Sequence, residues 1–305
     1  MTVLETIQRS ADFLAKKGVD SPRLQAELLL AHALKLPRMK LYLSFERQLS
    51  EAETNTMREF VKRRGQREPL QHIVGSVSFC GIEIFVNHHV LVPRPETELV
   101  AEEGWKWLGE LEFTLQRATP QPEGWTPTAF DFGTGSGCLA IALAVKCQGA
   151  EIFAVDKSIQ ALEIAKQNAG RHNVAERIKF FQGDGFEGVL KWASQSSALR
   201  ELKFDLIISN PPYIPTAEIE TLQPEVRDFE PRSALDGGAD GLDFYRRIAA
   251  EAPPFLIANG KLMLEFGDGQ AELLREIFER QKWIVEAVRE DYTRRPRILI
   301  ATLEQ

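Results

Sequence analysis

The chain has 305 residues, of which 44% are hydrophobic and 27% are charged. These values are typical of a globular protein with a sizeable core, and no apolar run approaches the roughly 18 residues of a transmembrane helix. Three cysteines make no disulfide framework, and they and the five scattered histidines lack metal-ligand spacing. Because the N-terminus also lacks a signal pattern, we expect a cytoplasmic protein with no metal and no membrane contact.

The net charge of -7 is unevenly distributed along the chain. Residues 1–75 carry a net charge of +4, and the remaining 230 carry -11. The basic part includes the cluster Lys62 to Arg67. This cluster is either a solvated helix face or a docking surface for an acidic partner or RNA.

Apolar residues at helical spacing predict a small N-terminal helical domain over residues 1–72. We place its long helices at residues 2–17, from Ser21-Pro22 to Pro37, and from Ser50 to about Arg64. Proline suits the first turn of the second helix, and Ser50 with Glu53 predicts a capping box at the start of the third.

A β-hairpin linker is predicted over residues 73–92, because Ile73 to Gly75, residues 77–79 and residues 82–86 are β-branched and aromatic. Residues 93–305 form the last predicted domain. It opens with a helix that Thr97 caps, and a Pro- and Gly-rich loop is predicted at 116–127.

From Thr128 the pattern alternates strand and helix, which predicts a mainly parallel sheet covered on both faces. The predicted strands lie near 128–132, 151–155, 178–182, 204–209, 261–266, 283–289 and 297–303. The predicted helices lie near 137–147, 158–172, 187–199, 241–257 and 270–281. A short turn separates the last two strands, so they should pair antiparallel at one end of the sheet.

A candidate cofactor site follows the first strand of this sheet, at Gly133-Thr134-Gly135-Ser136-Gly137. A glycine turn between strand and helix lets a ligand approach the backbone, and Asp156 at the tip of the next strand suits ribose hydroxyls. A dinucleotide or S-adenosylmethionine fits this pattern. Asp184 could accept from an adenine amino group, and Phe186 either covers the adenine ring or belongs to the core.

A second candidate site is Asn210-Pro211-Pro212-Tyr213, which ends the predicted strand at 204–209. Two prolines stop a central strand and leave a stiff loop at its carboxyl end, where open α/β sheets bind ligands. The Asn210 side-chain oxygen and the Pro211 carbonyl can accept hydrogens from a planar nitrogen, and Tyr213 can pack on its face. This chemistry favours methyl transfer to an amide or aryl amine, driven by positioning.

With these motifs the chain resembles the release-factor glutamine methyltransferases, the HemK/PrmC family of class I methyltransferases. The resemblance covers nearly the whole chain. Its segments are Arg67 to Ile73, Val92 to Glu98, Asp131 to Gly137, Asn210 to Tyr213 and Glu230 to Leu242.

The resemblance implies a Rossmann-like seven-stranded domain, five N-terminal helices for substrate recognition, and methyl transfer from S-adenosylmethionine to N5 of a glutamine. That glutamine belongs to the GGQ motif of class I peptide chain release factors. Gly133 to Gly137, Asp156 and Asn210 would contact the cofactor, and Asn210 to Tyr213 would hold the glutamine. Some members carry a bulky aromatic residue where this chain has Gly185. Arg94 and Glu96 would shape the substrate pocket or form a structural ion pair.

Three alternatives stay open at this point. A close variant would methylate a glutamine in a ribosomal protein, and a different enzyme would methylate an amino group of DNA or RNA. The third is a cofactor-binding module without activity. The net charge of -11 on residues 76–305 speaks against a stable nucleic-acid complex, and nothing in the sequence demands more than a monomer.

Overall fold

The computed structural model describes residues 1–118, 126–195 and 202–304. Its helices are α1 Val3–Lys16, α2 Pro22–Leu34, α3 Arg38–Leu41, α4 Glu51–Gly65, α5 Leu70–Val74, α6 Pro95–Ala118, α7 Cys138–Lys146, α8 Ile159–Arg171, α9 Phe186–Gln195, α10 Pro224–Arg227, α11 Asp243–Glu251 and α12 Ala271–Arg280. Its strands are β1 Ser76–Phe79, β2 Ile82–Phe85, β3 Thr128–Phe132, β4 Glu151–Asp156, β5 Ile178–Gln182, β6 Phe204–Ser209, β7 Leu256–Glu265, β8 Trp283–Glu290 and β9 Pro296–Leu303. No helix among the described residues has the length and apolar character needed to cross a membrane.

The chain divides into two compact units. The first contains residues 1–76 together with residues 221–230, and the second contains residues 77–220 and 231–305. The short segment 221–230 therefore belongs with the N-terminal helices, although it follows the Asn210 loop in sequence. The sequence pattern gave no sign of this exchange.

The first unit holds α1 to α5 around their own apolar core, together with the short helix α10 of segment 221–230. The five helices of residues 1–76 match the number that the resemblance implies. Ser50 and Glu53 form the predicted capping box. Two details of the prediction are wrong. The second helix ends at Leu34 because Lys35 adopts a φ of 53°, and Pro37 instead precedes α3. Residues 73–75 are not a strand, because α5 runs through Val74.

Three arginines of the basic cluster are engaged inside this first unit. Arg63 pairs with Glu68, while Arg64 and Arg67 both donate to the carboxylate of Glu225, at 2.6–2.7 Å. Burial would raise the pKa of Glu225, but the hydrogen bonds from the two arginines hold it below its ordinary value. These arginines thus tie segment 221–230 to the helices, which is a structural role that neither sequence alternative anticipated.

The second unit is built on a seven-stranded sheet of order β5-β4-β3-β6-β7-β9-β8. Neighbouring strands from β5 to β7 are parallel, and β9 pairs antiparallel with both β7 and β8, so the predicted fold class is confirmed. Strand β6 is buried at every residue, as expected for a central strand covered on both faces. The carboxyl ends of β3, β4 and β6 meet at one edge of the sheet, which brings together the loops that follow them.

Several boundaries in the second unit differ from the prediction. Helix α11 ends at Glu251, a 3-10 turn covers Pro253–Phe255, and β7 begins at Leu256 instead of residue 261. Thr97 does not cap α6, because this helix already begins at Pro95. The predicted loop at 116–127 and the end of the helix predicted at 187–199 fall mainly outside the described residues.

Candidate functional site

The glycine loop between β3 and α7 is held at the end of β4. The amides of Gly133 and Thr134 both donate to the Val155 carbonyl, at 3.0 and 2.8 Å. A methyl group added to Gly133 or Gly135 would meet no atom within 4 Å, whereas one on Gly137 would lie 3.0 Å from Ala165. The first two glycines therefore border open space, and the third permits close packing of α7 on α8.

Asp131, the penultimate residue of β3 before the glycine loop, holds this loop through hydrogen bonds. Its Oδ2 accepts from the Thr134 hydroxyl at 2.6 Å and from the Ala140 amide at 3.2 Å, so it ties the loop to the first turn of α7. Burial raises the pKa of this carboxyl to about 7. The sequence prediction left Asp131 out of the site residues, although its place directly before the glycine loop was an available signal.

Asp156 lies at the carboxyl end of β4, next to the glycine loop. Its two oxygens accept from the amides of Gly135 and Ser158, at 2.9 and 2.8 Å. Burial raises its pKa, although these two hydrogen bonds oppose the shift. Because each carboxylate oxygen can accept a second hydrogen, Asp156 is fixed in place and still able to bind hydroxyl groups.

At the end of β5, the predicted cofactor residues Asp184 and Phe186 both have contacts within the protein. Asp184 forms an ion pair with Arg247, so its carboxylate is already partnered. Phe186 is 2% exposed and stacks on Phe130 and Phe255, with ring centroids 5.1 and 4.7 Å apart. Its ring belongs to the core, and this was one of the two alternatives.

Gly185 has a backbone that only glycine adopts easily. Its φ is +64°, and an added Cβ would lie 2.4 Å from the ring of Phe132. The bulky aromatic residue that some members of the resembling family carry here would not fit without rearrangement. Gly185 is nevertheless one of the residues that line the cavity described below.

Asn210 follows β6 directly and is connected, through Thr97, to Glu265 at the end of β7. Its Nδ2 donates to the Thr97 hydroxyl at 3.0 Å, and this hydroxyl donates to Oε2 of Glu265 at 2.6 Å. Thr97 and Glu265 are 2% and 1% exposed. One hydrogen of the Asn210 amide nitrogen is thus taken by the protein, and the side-chain oxygen is placed to accept from a ligand.

Pro211, Pro212 and Tyr213 complete the loop that begins at Asn210. Glycines of the segment 237–241 pack directly against the backbone of this loop. An added Cβ on Gly237 would lie 2.8 Å from the Pro212 carbonyl, and one on Gly241 would lie 2.3 Å from the Tyr213 carbonyl. The same Tyr213 carbonyl accepts from Gln270 Nε2 at 3.0 Å. Burial raises the pKa of the Tyr213 hydroxyl, so this side chain stays neutral.

An open cavity joins these loops. Its empty volume is about 1040 Å³, including the solvent at its mouth. The predicted residues on its wall are Gly133, Thr134, Gly135, Ser136, Asp156, Asp184, Gly185, Asn210, Pro211 and Pro212. The structure does not place Gly137, Phe186, Tyr213, Arg94 or Glu96 among the wall residues that it describes.

Arg94 and Glu96 act on this region through their charges. Both affect the pKa of Glu265 and of Tyr213. Sequence reasoning missed several wall residues, including His89, Leu91, Thr97, Pro231, Ser233 and Phe244. Of these, Thr97, Pro231 and Ser233 had a signal, because they lie in segments that carry the family resemblance.

Two family models and several curated proteins are similar to this chain, and together they cover most of its length. Residues 5–75 match the PrmC N-terminal domain, and residues 118–223 match the methyltransferase small domain. The release factor glutamine methyltransferase of Geobacter sulfurreducens is 43% identical over 279 residues, or 92% of this chain and 89% of that protein. The protein of the same name from Nitratidesulfovibrio vulgaris is 39% identical over 98% of this chain and 95% of its own length.

Among solved structures, the hMettl16 catalytic domain in complex with MAT2A 3'UTR hairpin 6 has a TM-score of 0.51 to this chain. It is 15% identical, and the match covers 81% of this chain and 83% of that chain. At this identity the likeness concerns the fold alone, and it agrees with the seven-stranded sheet described above.

Proposed function

Because this chain belongs to the release factor glutamine methyltransferase family, we propose that it methylates N5 of the glutamine in the GGQ motif of class I peptide chain release factors. The chain is an S-adenosylmethionine-dependent methyltransferase. The structural observation that carries the choice of a substrate nitrogen with N–H hydrogens is the orientation of Asn210, whose NH2 group donates to Thr97 and whose oxygen can accept from the ligand. The choice of an amide over an aryl amine rests on the family.

The cavity suits the cofactor in both shape and chemistry. Gly133 and Gly135 border open space, so their backbone can contact a ligand closely, and Asp156 can accept from two ribose hydroxyls. When bound, S-adenosylmethionine supplies an activated methyl group on its sulfonium and leaves as S-adenosylhomocysteine. The adenine contact would come from the backbone around Asp184 and Gly185, because Phe186 lies in the core.

The Asn210 loop would hold the substrate nitrogen. A glutamine amide nitrogen has two hydrogens and a lone pair delocalised into its carbonyl, so it is a poor nucleophile. Hydrogen bonds from these hydrogens to Asn210 Oδ1 and the Pro211 carbonyl would fix the nitrogen and favour tetrahedral geometry as the new N–C bond forms. The nitrogen releases one of its two hydrogens as a proton to solvent when it gains the methyl group. Tyr213, neutral and largely buried, would support the loop and border the substrate side chain. Arg94 and Glu96 would set the electrostatic potential around it.

The two parts of the chain would divide the work. Residues 1–72 would recognise the release factor, residues 73–92 would link them to the catalytic part, and residues 93–305 would carry out the transfer. We propose that the protein acts as a monomer and forms no stable complex with nucleic acid. Gel filtration with light scattering, and a nucleic-acid retention assay at low salt, test these two points.

The central test is transfer of labelled methyl from S-adenosylmethionine to a purified class I release factor. The control is the same factor with its GGQ glutamine replaced. Label in the first and none in the second is expected. Label in neither, with cofactor binding intact, would refute the proposed substrate and turn attention to a ribosomal protein or a nucleic acid.

A further inference from the structure

Three side chains at the carboxyl edge of the sheet form one chain of hydrogen bonds, here called the polar relay: Asn210, Thr97 and Glu265. Asn210 follows β6, Thr97 lies in the first turn of α6, and Glu265 ends β7. The Asn210 Nδ2 to Thr97 Oγ1 distance is 3.0 Å, and the Thr97 Oγ1 to Glu265 Oε2 distance is 2.6 Å. Asn210 and Thr97 both line the cavity.

The chemistry of the three groups sets the direction of the relay. An ionised carboxylate only accepts hydrogen bonds, and a hydroxyl has a single hydrogen to donate. When Glu265 is ionised, Thr97 therefore donates to Glu265, and its lone pairs face Asn210. Only the NH2 end of the Asn210 side chain satisfies these lone pairs, because an amide oxygen would be repelled.

A role in stability alone does not explain why a threonine and a glutamate occupy positions 97 and 265. Glu265 is 1% exposed, and burying a carboxylate is expensive unless it is well paired. An apolar pair at positions 97 and 265 would fill the same space without this penalty. The charged end of the relay is what gives the Thr97 hydroxyl a single orientation.

We propose that Thr97 and Glu265 are positioning residues that hold the Asn210 side chain with its oxygen toward the substrate amide. This inference rests on the proposed role of Asn210 and names the residues that set its orientation. The relay favours a substrate that presents N–H hydrogens, such as glutamine. A glutamate carboxylate presented to the same oxygen would be repelled, which accounts for selection of the amide over the acid.

A matched pair of variants tests the relay. Thr97→Val removes the hydroxyl and keeps the shape, and Thr97→Ser keeps the hydroxyl. We expect Thr97→Val to lower kcat for methyl transfer to the release factor by about 10- to 100-fold, the range for a small misplacement of a reacting group. The kcat of Thr97→Ser should stay within about threefold of that of the unaltered protein, because serine keeps the hydroxyl that positions Asn210. Cofactor affinity is measured by calorimetry in the same three proteins, and kcat is compared at saturating cofactor, so that any loss of cofactor binding is separated from the loss of methyl transfer.

A second readout needs no substrate, so it separates this inference from the proposed function. The side-chain NH2 signals of Asn210, assigned by their loss in Asn210→Ala, report the relay directly by NMR. Solvent exchange of these hydrogens should be at least about tenfold faster in Thr97→Val than in Thr97→Ser. In the valine variant, the NH2 group of Asn210 no longer has a hydroxyl to donate to.

Equal kcat or equal exchange in the Thr97→Val and Thr97→Ser proteins would overturn the inference. If Thr97→Val does not fold, Thr97→Ala takes its place in the same comparison with Thr97→Ser. If the unaltered protein fails to methylate the release factor while the exchange difference is present, the proposed substrate is wrong but the relay stands.

Discussion

At alkaline pH the Glu265→Gln protein should have a higher free energy of unfolding than the native protein. This difference should disappear in acid. Burial raises the pKa of Glu265 from an ordinary 4.5 to about 7, while the hydrogen bond from Thr97 opposes the shift. Glu96 raises it further, and Arg297 and Arg94 lower it. Between the two pKa values the native protein still holds a proton that the unfolded chain has released, so raising the pH favours unfolding.

The size of the effect follows from this difference in pKa. Well above pH 7, the buried carboxylate destabilises the native state by about 3 kcal/mol relative to its protonated form, and about 2.5 kcal/mol of this develops between pH 5 and pH 8. Glutamine has nearly the same shape and does not titrate. Asp131, whose pKa burial also raises to about 7, is present in both proteins, so its contribution cancels in the comparison.

The assay is urea unfolding of the native and Glu265→Gln proteins at pH 5 and at pH 8, without cofactor. The difference in free energy of unfolding between the two proteins should shift by about 2.5 kcal/mol in favour of Glu265→Gln from pH 5 to pH 8. A difference that is the same at both pH values would refute the reasoning. It would mean that Glu265 is ionised throughout this range, or that its carboxyl is solvated.

Three further substitutions test the site. Asn210→Ala should lower the rate of labelled methyl transfer by about 100-fold or more and leave the melting temperature nearly unchanged; an active protein would rule out its role. Asp156→Ala should weaken S-adenosylmethionine binding by about 10- to 100-fold in calorimetry, since it removes hydrogen bonds to a charged group; unchanged affinity would reject this contact. Gly185→Ala should cost about 2–4 kcal/mol of unfolding free energy, because a positive φ adds to the clash with the ring at position 132. Gly81→Ala, with φ +78° in open space, should cost about 1 kcal/mol, and equal costs would contradict the predicted clash.

The sheet was predictable because its central strands are rich in apolar residues and are followed by glycine or proline. Strands β3 and β6 were placed to the residue, and the antiparallel pair β8 and β9 followed from the short turn between them. The start of β7 was missed because Ala258, Asn259 and Gly260 have the composition of a turn. The strand continues through them with a register shift against β6, and Asn259 adopts a φ of +63°.

The site was predictable where its residues lie at the carboxyl end of a predicted strand. The glycine loop, Asp156 and Asn210 each follow a strand, and the carboxyl ends of parallel strands converge. Phe186 and Thr97 were harder, because a phenylalanine after a strand serves a ligand or a core equally well, and a threonine near the start of a helix suggests a cap. Thr97 instead bonds a residue 168 positions away, a distance over which local patterns carry no information.

The polar relay also explains why its buried end should carry a charge. A glutamine at position 265 could present either its oxygen or its NH2 group to Thr97, and the second arrangement would let the hydroxyl donate to Asn210 and turn the amide around. A carboxylate accepts only, so it allows one orientation, at the expense of stability above its pKa. Glu265→Gln should therefore be the more stable protein and the slower enzyme at pH 8, because one substitution relieves the buried charge and releases the orientation of Asn210.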